Sequence, residues 1–149
     1  FYLAYAYKEI GNIELAVKFY QEVISQNQDY SWAYYNLASI YLEQDNDEQA
    51  ILYLEKTIKT NPSDIKAIKM LVKLFSKHKK YSAAEKILRQ AIHDMPEEAD
   101  LYYFLAKVYN ELKSRINYVK YLKMALKKQL TFSGDIKELE EEIKEAEKR

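Results

Sequence analysis

The sequence repeats itself with a period of 34. Leucine recurs every 34 residues, and an aromatic residue follows four positions after each leucine. A small residue and an aliphatic residue recur at the same spacing, and each such set of equivalent positions is called a column. The columns are Leu3, Leu37, Leu71 and Leu105; Tyr7, Tyr41, Phe75 and Tyr109; Ala16, Ala50 and Ala84; and Ile24, Ile58, Ile92 and Leu126. Agreement of several columns at one period indicates an array of similar structural units.

Within each unit the apolar residues have helical spacing. In the second unit, Tyr34, Leu37 and Tyr41 follow the i, i+3, i+7 pattern of one helix face. The polar stretch at residues 45–47 predicts a turn, and a second stripe of the same kind begins at Ala50 and is closed by a proline. Each unit is therefore a helical hairpin. A hairpin this short cannot bury its own apolar face, so its neighbours must stack on it.

Residues 31–62 combine bulky, small and closing positions at fixed places in the unit: Tyr34, Leu37, Ala38, Tyr41, Ala50, Leu54 and Pro62. In these columns the segment resembles a tetratricopeptide repeat. The resemblance implies an all-α fold, a right-handed α-solenoid of stacked helix-turn-helix hairpins. It places four tetratricopeptide repeats in residues 1–132, at 1–30 (lacking its first positions), 31–64, 65–98 and 99–132. For residues 133–149 the pattern of the tail itself predicts a C-terminal capping helix.

The fourth repeat departs from the pattern. Tyr118 stands where alanine is expected and Leu130 where proline is expected. The alanine column allows two helices to approach closely, so Tyr118 predicts a wider or shifted helix crossing.

The tail has the pattern of a final helix. Asp135 is a candidate N-cap, and Ile136, Leu139 and Ile143 form a narrow apolar stripe. This pattern favours a capping helix, and a helix leading into further repeats is the alternative. The acidic residues expected to face solvent are Glu140, Glu141, Glu142, Glu145 and Glu147.

The first repeat lacks the opening residues of its first helix, so we expect the chain to be a fragment of a longer protein. The longest stretch without a charged residue is 30–42. It is shorter than the roughly 20 residues that a membrane-spanning helix needs. We therefore expect a soluble helical protein. A cytoplasmic location is a separate prediction.

Composition argues against an enzyme. The chain has no cysteine, which excludes disulfides, thiolate zinc sites and cysteine nucleophiles. Its two histidines, His78 and His93, lack the spacing of metal ligands, and two isolated glycines cannot form a phosphate-binding loop. The sequence predicts no catalytic residue, no metal site and no cofactor.

The resemblance implies a concave groove lined by the first helix of each repeat, on the face opposite the core stripe. The residues predicted to bind a partner there are Tyr5, Trp32, Tyr35, Asn36, Lys66, Lys69, Lys73, Lys77, Tyr103 and Lys107. The four lysines of the third repeat form a ladder that would attract an acidic peptide. A merely solvated lysine face is the alternative.

Charge is unevenly distributed although Lys+Arg and Asp+Glu are both 23. Residues 1–64 carry a net charge of −6, residues 65–132 of +9 and residues 133–149 of −3. The primary hypothesis is a protein-interaction scaffold that binds a peptide or helical segment of a partner, without intrinsic catalysis. RNA binding through the basic second half is an alternative, which the scarcity of arginine weakens.

Two further hypotheses come from particular residues. Tetratricopeptide domains that hold chaperone tails use a five-residue carboxylate clamp, of which Asn36 and Lys66 are present, whereas Phe1, Tyr5 and Met70 do not match. A chaperone-tail adaptor is therefore a minor alternative. The second hypothesis is self-association of the chain through the apolar residues at its start.

Overall fold

A computed structural model describes residues 1–148 and shows an all-α fold in this range. The helices are α1 (Tyr2–Glu9), α2 (Ile13–Gln26), α3 (Ser31–Glu43), α4 (Asp47–Thr60), α5 (Ile65–Lys77), α6 (Tyr81–Asp94), α7 (Ala99–Glu111), α8 (Arg115–Lys127) and α9 (Ile136–Lys148), with a short 3-10 helix at Gln129–Thr131. Consecutive helices pack as hairpins, so the predicted fold class is confirmed. The repeat boundaries stay a prediction.

The chain forms two compact units, Phe1–Leu71 and the part that follows from Val72, with the boundary inside α5. The first unit contains the α1–α2 and α3–α4 hairpins. Its core includes Ala4, Ala16, Tyr20, Leu37 and Ile40, all fully buried. Ala16 and Ala50 are fully buried as the small-residue column requires, since a larger side chain would separate the helices.

In the second unit, α6, α7, α8 and α9 pack in chain order. Leu88, Leu101, Leu105 and Leu122 supply its large buried side chains, and Ala84 is fully buried on α6. Each of these residues lies in an apolar stripe that the helical period places on one face.

The turn of every hairpin uses the same backbone geometry. One residue per turn has a positive φ, and these residues keep the period of the sequence: Gly11 at 77°, Asp45 at 54°, Lys79 at 56° and Lys113 at 57°. The next amide in each turn donates back to the carbonyl of the repeated aromatic column, for example Asn46 to Tyr41 at 2.8 Å. This is the left-handed ending that closes a helix by satisfying its last carbonyls.

The residue after the turn begins the second helix. Asn12 and Asn46 accept hydrogen bonds from the amides of Leu15 and Gln49, both at 3.2 Å. At the equivalent positions, Lys80 and Ser114 make no side-chain cap. The first two hairpins therefore have an N-cap that the other two lack.

Stacked aromatic rings join the two helices of three hairpins. The ring planes of Tyr7 and Phe19 lie within 7° of each other, those of Tyr41 and Tyr53 within 5°, and those of Tyr109 and Tyr121 within 8°. The first member of each pair belongs to the aromatic column found in the sequence. The second lies at a fixed offset on the following helix and was not predicted.

The tail is attached to the second unit by specific contacts. The Asp135 carboxylate accepts hydrogen bonds from the amides of Lys137 and Glu138, so the predicted N-cap is present. Leu139, Ile143 and Ala146 of α9 are buried, and α9 packs against α8. Ahead of the helix, the amide and hydroxyl of Ser133 donate to Asp100 at 2.8 and 2.6 Å.

Candidate functional site

The first unit has an exposed aromatic surface formed by Phe1, Tyr5, Trp32 and Tyr35. Because α3 buries Ala33, Tyr34 and Leu37, positions 32 and 35 lie towards its other side. Trp32 is 58% exposed and Tyr5 is 44% exposed. The Trp32 ring meets Phe1 edge-on at 6.0 Å and Tyr35 at 6.4 Å between centroids. We call this group of four residues the aromatic surface.

A small cavity of about 100 Å³ adjoins this surface, lined by Trp32, Tyr35, Asp64 and Lys66. Asp64 accepts a hydrogen bond from the amide of Ala67 at 3.0 Å and so caps α5. Burial, and then the charge of Asp64, raise the pKa of Tyr35 above its ordinary value. The cavity thus combines two aromatic rings with one charge of each sign.

The α3 surface becomes polar towards the end of the helix. The Lys8 ammonium donates to the Ser39 hydroxyl at 3.2 Å and lies 3.3 Å from the Glu43 carboxylate. An apolar half and a charged half are therefore present on the same side of the first unit, which suits a ligand with one apolar anchor and polar flanks.

Asn36 is not on this surface. Its side chain is 4% exposed and donates to the Trp32 carbonyl oxygen at 2.7 Å. The Asn36 side chain is therefore bonded within α3, to the backbone one helical turn earlier.

The four predicted lysines all lie on α5. Lys66 and Lys69 belong to the first unit, and Lys73 and Lys77 to the second. Lys69 is half-buried and the other three are exposed. Their helical spacing is as predicted, and whether they contact a ligand stays a prediction.

In the second unit, Lys73 lines a groove of about 380 Å³ together with Ser76, Phe104, Lys107 and Glu111, among others. Lys107 also pairs with Glu142 of α9 and lies over the Tyr103 ring at 4.8 Å. Burial acts to lower the pKa of Lys107, but hydrogen bonds to Glu142 and Tyr103 outweigh it, so the pKa is raised. The structure thus brings Tyr103 and Lys107 together around an acidic side chain of the same chain.

A family model described as tetratricopeptide repeat matches residues 3–74. This segment belongs to the tetratricopeptide repeat family. The match covers the first two hairpins and most of α5, and it confirms the resemblance found in the sequence. No curated protein matches the chain by sequence.

Solved structures extend the tetratricopeptide fold beyond the matched segment. Two crystal structures of MamA are similar to the chain, with TM-scores of 0.69 and 0.70 at 19% and 18% identity. They cover 87% and 98% of this chain and 76% and 85% of the MamA chains. A structure of residues 41 to the end of MamA from Desulfovibrio magneticus RS-1 has a TM-score of 0.66 at 17% identity, covering 85% of this chain and 71% of that one. Identity this low shows a shared fold.

Two features are absent from the part of the chain that the structure describes. Among residues 1–148 no helix has the length and apolar character that crossing a membrane requires. The same residues contain no group of three or more histidine, cysteine, aspartate or glutamate side chains that could hold a metal ion.

The sequence did not reveal the polar contacts of the tail. Asp100 lies where the helical pattern predicts the groove face, but it is 5% exposed and accepts two hydrogen bonds from Ser133. Glu142 was expected to face solvent, whereas its side chain is 22% exposed and contacts α7 and α8. The sequence did contain one indication of this contact: Glu142 directly precedes Ile143, a residue of the predicted apolar stripe.

Proposed function

We propose that this tetratricopeptide chain is a non-catalytic interaction module that binds a peptide or helical segment of a partner protein through the aromatic surface of its first unit. Tetratricopeptide repeats are in general protein-interaction modules, which fits a protein partner. The observation that carries the proposal is the 58% exposure of Trp32, whose ring contacts Phe1, in a unit where Tyr5, one helical turn after Phe1, is 44% exposed. Exposed tryptophan and tyrosine side chains are the residues that most often anchor protein interfaces.

The neighbouring cavity gives the proposal more detail. About 100 Å³ between Trp32 and Lys66 is enough for part of one side chain and too small for a cofactor. We infer that one apolar side chain of the partner enters it and that the charged groups nearby contact the flanking backbone. The partner then needs one apolar anchor within an otherwise polar segment.

The basic second half does not favour RNA binding over a peptide ligand. Several of its cations already lie against carboxylates: Lys107 against Glu142, Lys123 against Glu147, Lys128 against Glu97 and Arg89 against Glu85. A cation that is paired within the chain releases fewer counterions on binding a phosphate backbone. These paired cations therefore favour a protein partner over RNA. The cytoplasmic location stays a prediction.

The test uses the tryptophan itself. Trp32 is the single tryptophan of the chain, so its fluorescence reports on this surface alone. Peptides selected from a displayed random library on the immobilised chain should change the Trp32 emission on titration. Tyr5→Ala should weaken their binding at least tenfold.

The matched control is Ile116→Ala, which removes an 84% exposed apolar side chain of α8 in the second unit. It should leave the affinity of the selected peptides unchanged. Binding to Trp32→Ala is followed by the anisotropy of a label on the peptide, since this variant has no tryptophan. If selected peptides bind Tyr5→Ala and Trp32→Ala as tightly as the parent chain, the aromatic surface is not the binding site.

A further inference from the structure

The α7–α8 hairpin holds one carboxylate of α9 with three donors. The Lys107 ammonium and the Tyr118 hydroxyl both contact Oε1 of Glu142, and the Tyr103 hydroxyl donates to Oε2 at 3.4 Å. The donors come from two helices, and Glu142 is 22% exposed. Convergence of a cation and two hydroxyls on one carboxylate is an arrangement that recognises an acidic side chain.

Further contacts hold the rest of α9. Lys123 pairs with Glu147, and the Arg115 guanidinium donates to the carbonyl oxygens of Ala146 at 2.9 Å and of Glu147. A cation at the last carbonyls favours the C-terminus of a helix, because the helix dipole is negative there. The hairpin therefore recognises a helix by its end as well as by its acidic side chains.

The packing of α9 is one-sided. Among residues 1–148 it packs against one helix, α8, with side-chain contacts to α7, whereas α7 packs between α6 and α8. Its three buried side chains, Leu139, Ile143 and Ala146, are as many as α6 or α8 buries. Elements with few packed neighbours open at lower free energy than the core. The polar contacts thus select which helix fits, and the one-sided packing allows it to be exchanged.

We propose that this face of α7–α8, with Tyr103, Lys107 and Tyr118 at its centre, is a receptor for acidic amphipathic helices, and that α9 occupies it as an internal ligand. The external ligand is a helix of a partner protein that carries a glutamate followed by an apolar residue at the next and the fourth positions, as Glu142 is followed by Ile143 and Ala146. Its binding displaces α9. This receptor lies in the second unit and is independent of the aromatic surface of the first.

The test measures binding of a labelled synthetic peptide of residues 133–148 to the full chain by fluorescence anisotropy. Glu142→Gln in the chain weakens the internal helix and leaves the receptor intact, so it should increase the affinity for the unaltered peptide at least tenfold. Glu141→Gln removes the same charge one residue earlier, at an exposed position, and should leave the affinity unchanged.

Reciprocal changes identify the site. A peptide carrying Glu142→Gln should bind the Glu142→Gln chain at least tenfold more weakly than the unaltered peptide does, and adding Lys107→Ala to that chain should have a similar effect. A Glu142→Gln chain that keeps its circular dichroism spectrum but gains no affinity for the peptide would overturn the proposal, because α9 would then be a fixed part of the fold.

A measurement on the unaltered chain guards against variants that fail to fold. Excess peptide should accelerate amide hydrogen exchange in residues 136–148 and leave α7 unchanged; exchange that is equal with and without peptide overturns the displacement. If the unaltered chain instead forms a dimer in sedimentation that the peptide dissociates, the occupant is α9 of a second copy, and the partner-helix proposal is overturned.

Discussion

The Tyr118 hydroxyl donates a hydrogen bond to the Glu142 carboxylate, and so joins the start of α8 to the middle of α9. The tyrosine is half-buried, whereas the alanines at the equivalent positions of α2, α4 and α6 are fully buried. The side chain at this column therefore packs inside the hairpin in the first three repeats and reaches the next helix in the fourth.

Tyr118→Phe keeps the ring and removes this hydrogen bond. We expect a loss of about 1 kcal/mol in the free energy of unfolding, since a hydrogen bond to a charged acceptor contributes about this much when partly exposed. Amide exchange in α9 should become faster, while exchange in the α3–α4 hairpin stays the same. Equal exchange rates in α9 for both chains would contradict a role for the hydroxyl in holding the helix.

Ala50→Leu should destabilise the α3–α4 hairpin. Ala50 is fully buried, and the added carbon atoms must displace either the facing helix or its side chains. Overpacking of this kind costs about 1–3 kcal/mol, which urea unfolding measures. Ala6→Leu is the matched control, because Ala6 is exposed on α1; a loss of the same size there would show that crowding at Ala50 is not the cause.

Lys80→Asn should stabilise the protein. Asn12 and Asn46, at the equivalent positions of the first two hairpins, each accept a hydrogen bond from the first turn of their helix, and Lys80 makes no such contact. A good N-cap contributes about 1 kcal/mol relative to a residue without one. The midpoint of thermal unfolding should rise with Lys80→Asn and fall by a comparable amount with Asn46→Ala. A fall in both variants would mean that the turn at Lys80 cannot adopt the capping geometry.

Glu85 should contribute to stability in a pH-dependent way. Hydrogen bonds from Tyr109, and then from Arg89, lower the pKa of this carboxyl below its ordinary value of 4.5. Because the folded state holds the proton less tightly than the unfolded chain, the contribution is complete above pH 4.5 and is lost as the pH falls through the lower folded value.

The measurement is urea unfolding of the parent chain and of Glu85→Gln between about pH 7 and pH 3. The parent should be more stable at neutral pH, and the difference should shrink on the acidic side. Glu55→Gln, at an exposed position of α4, is the control and should leave the pH profile unchanged. A constant difference between the parent and Glu85→Gln at all pH values would refute the effect.

Most of the fold could be predicted from the sequence because the information is local and repeated. The recurring columns, the helical stripes and the turn at residues 45–47 together define helical hairpins, and stacking follows from the small area that one hairpin buries. Asp135 was likewise predicted as an N-cap, since capping depends on residues three apart.

The contacts of the candidate sites could not be predicted in the same way. Whether Trp32 is exposed or buried depends on how α1 and α3 pack, which a helical period does not determine. Glu142 is one of several glutamates of α9 with similar spacing, and its partners Tyr103 and Lys107 lie on α7, two helices earlier in the chain. Which of these glutamates contacts α7 depends on how α9 is rotated about its axis relative to the neighbouring helices.

The recurring positive φ at the hairpin turns has a consequence for recognising such chains. Glycine occupies this position once, while Asp45, Lys79 and Lys113 adopt the same conformation. The neighbouring helix ends therefore impose the bend, and side chains that disfavour it are tolerated at an energetic cost. A sequence pattern that requires glycine at this turn position would therefore match the first hairpin and miss the other three.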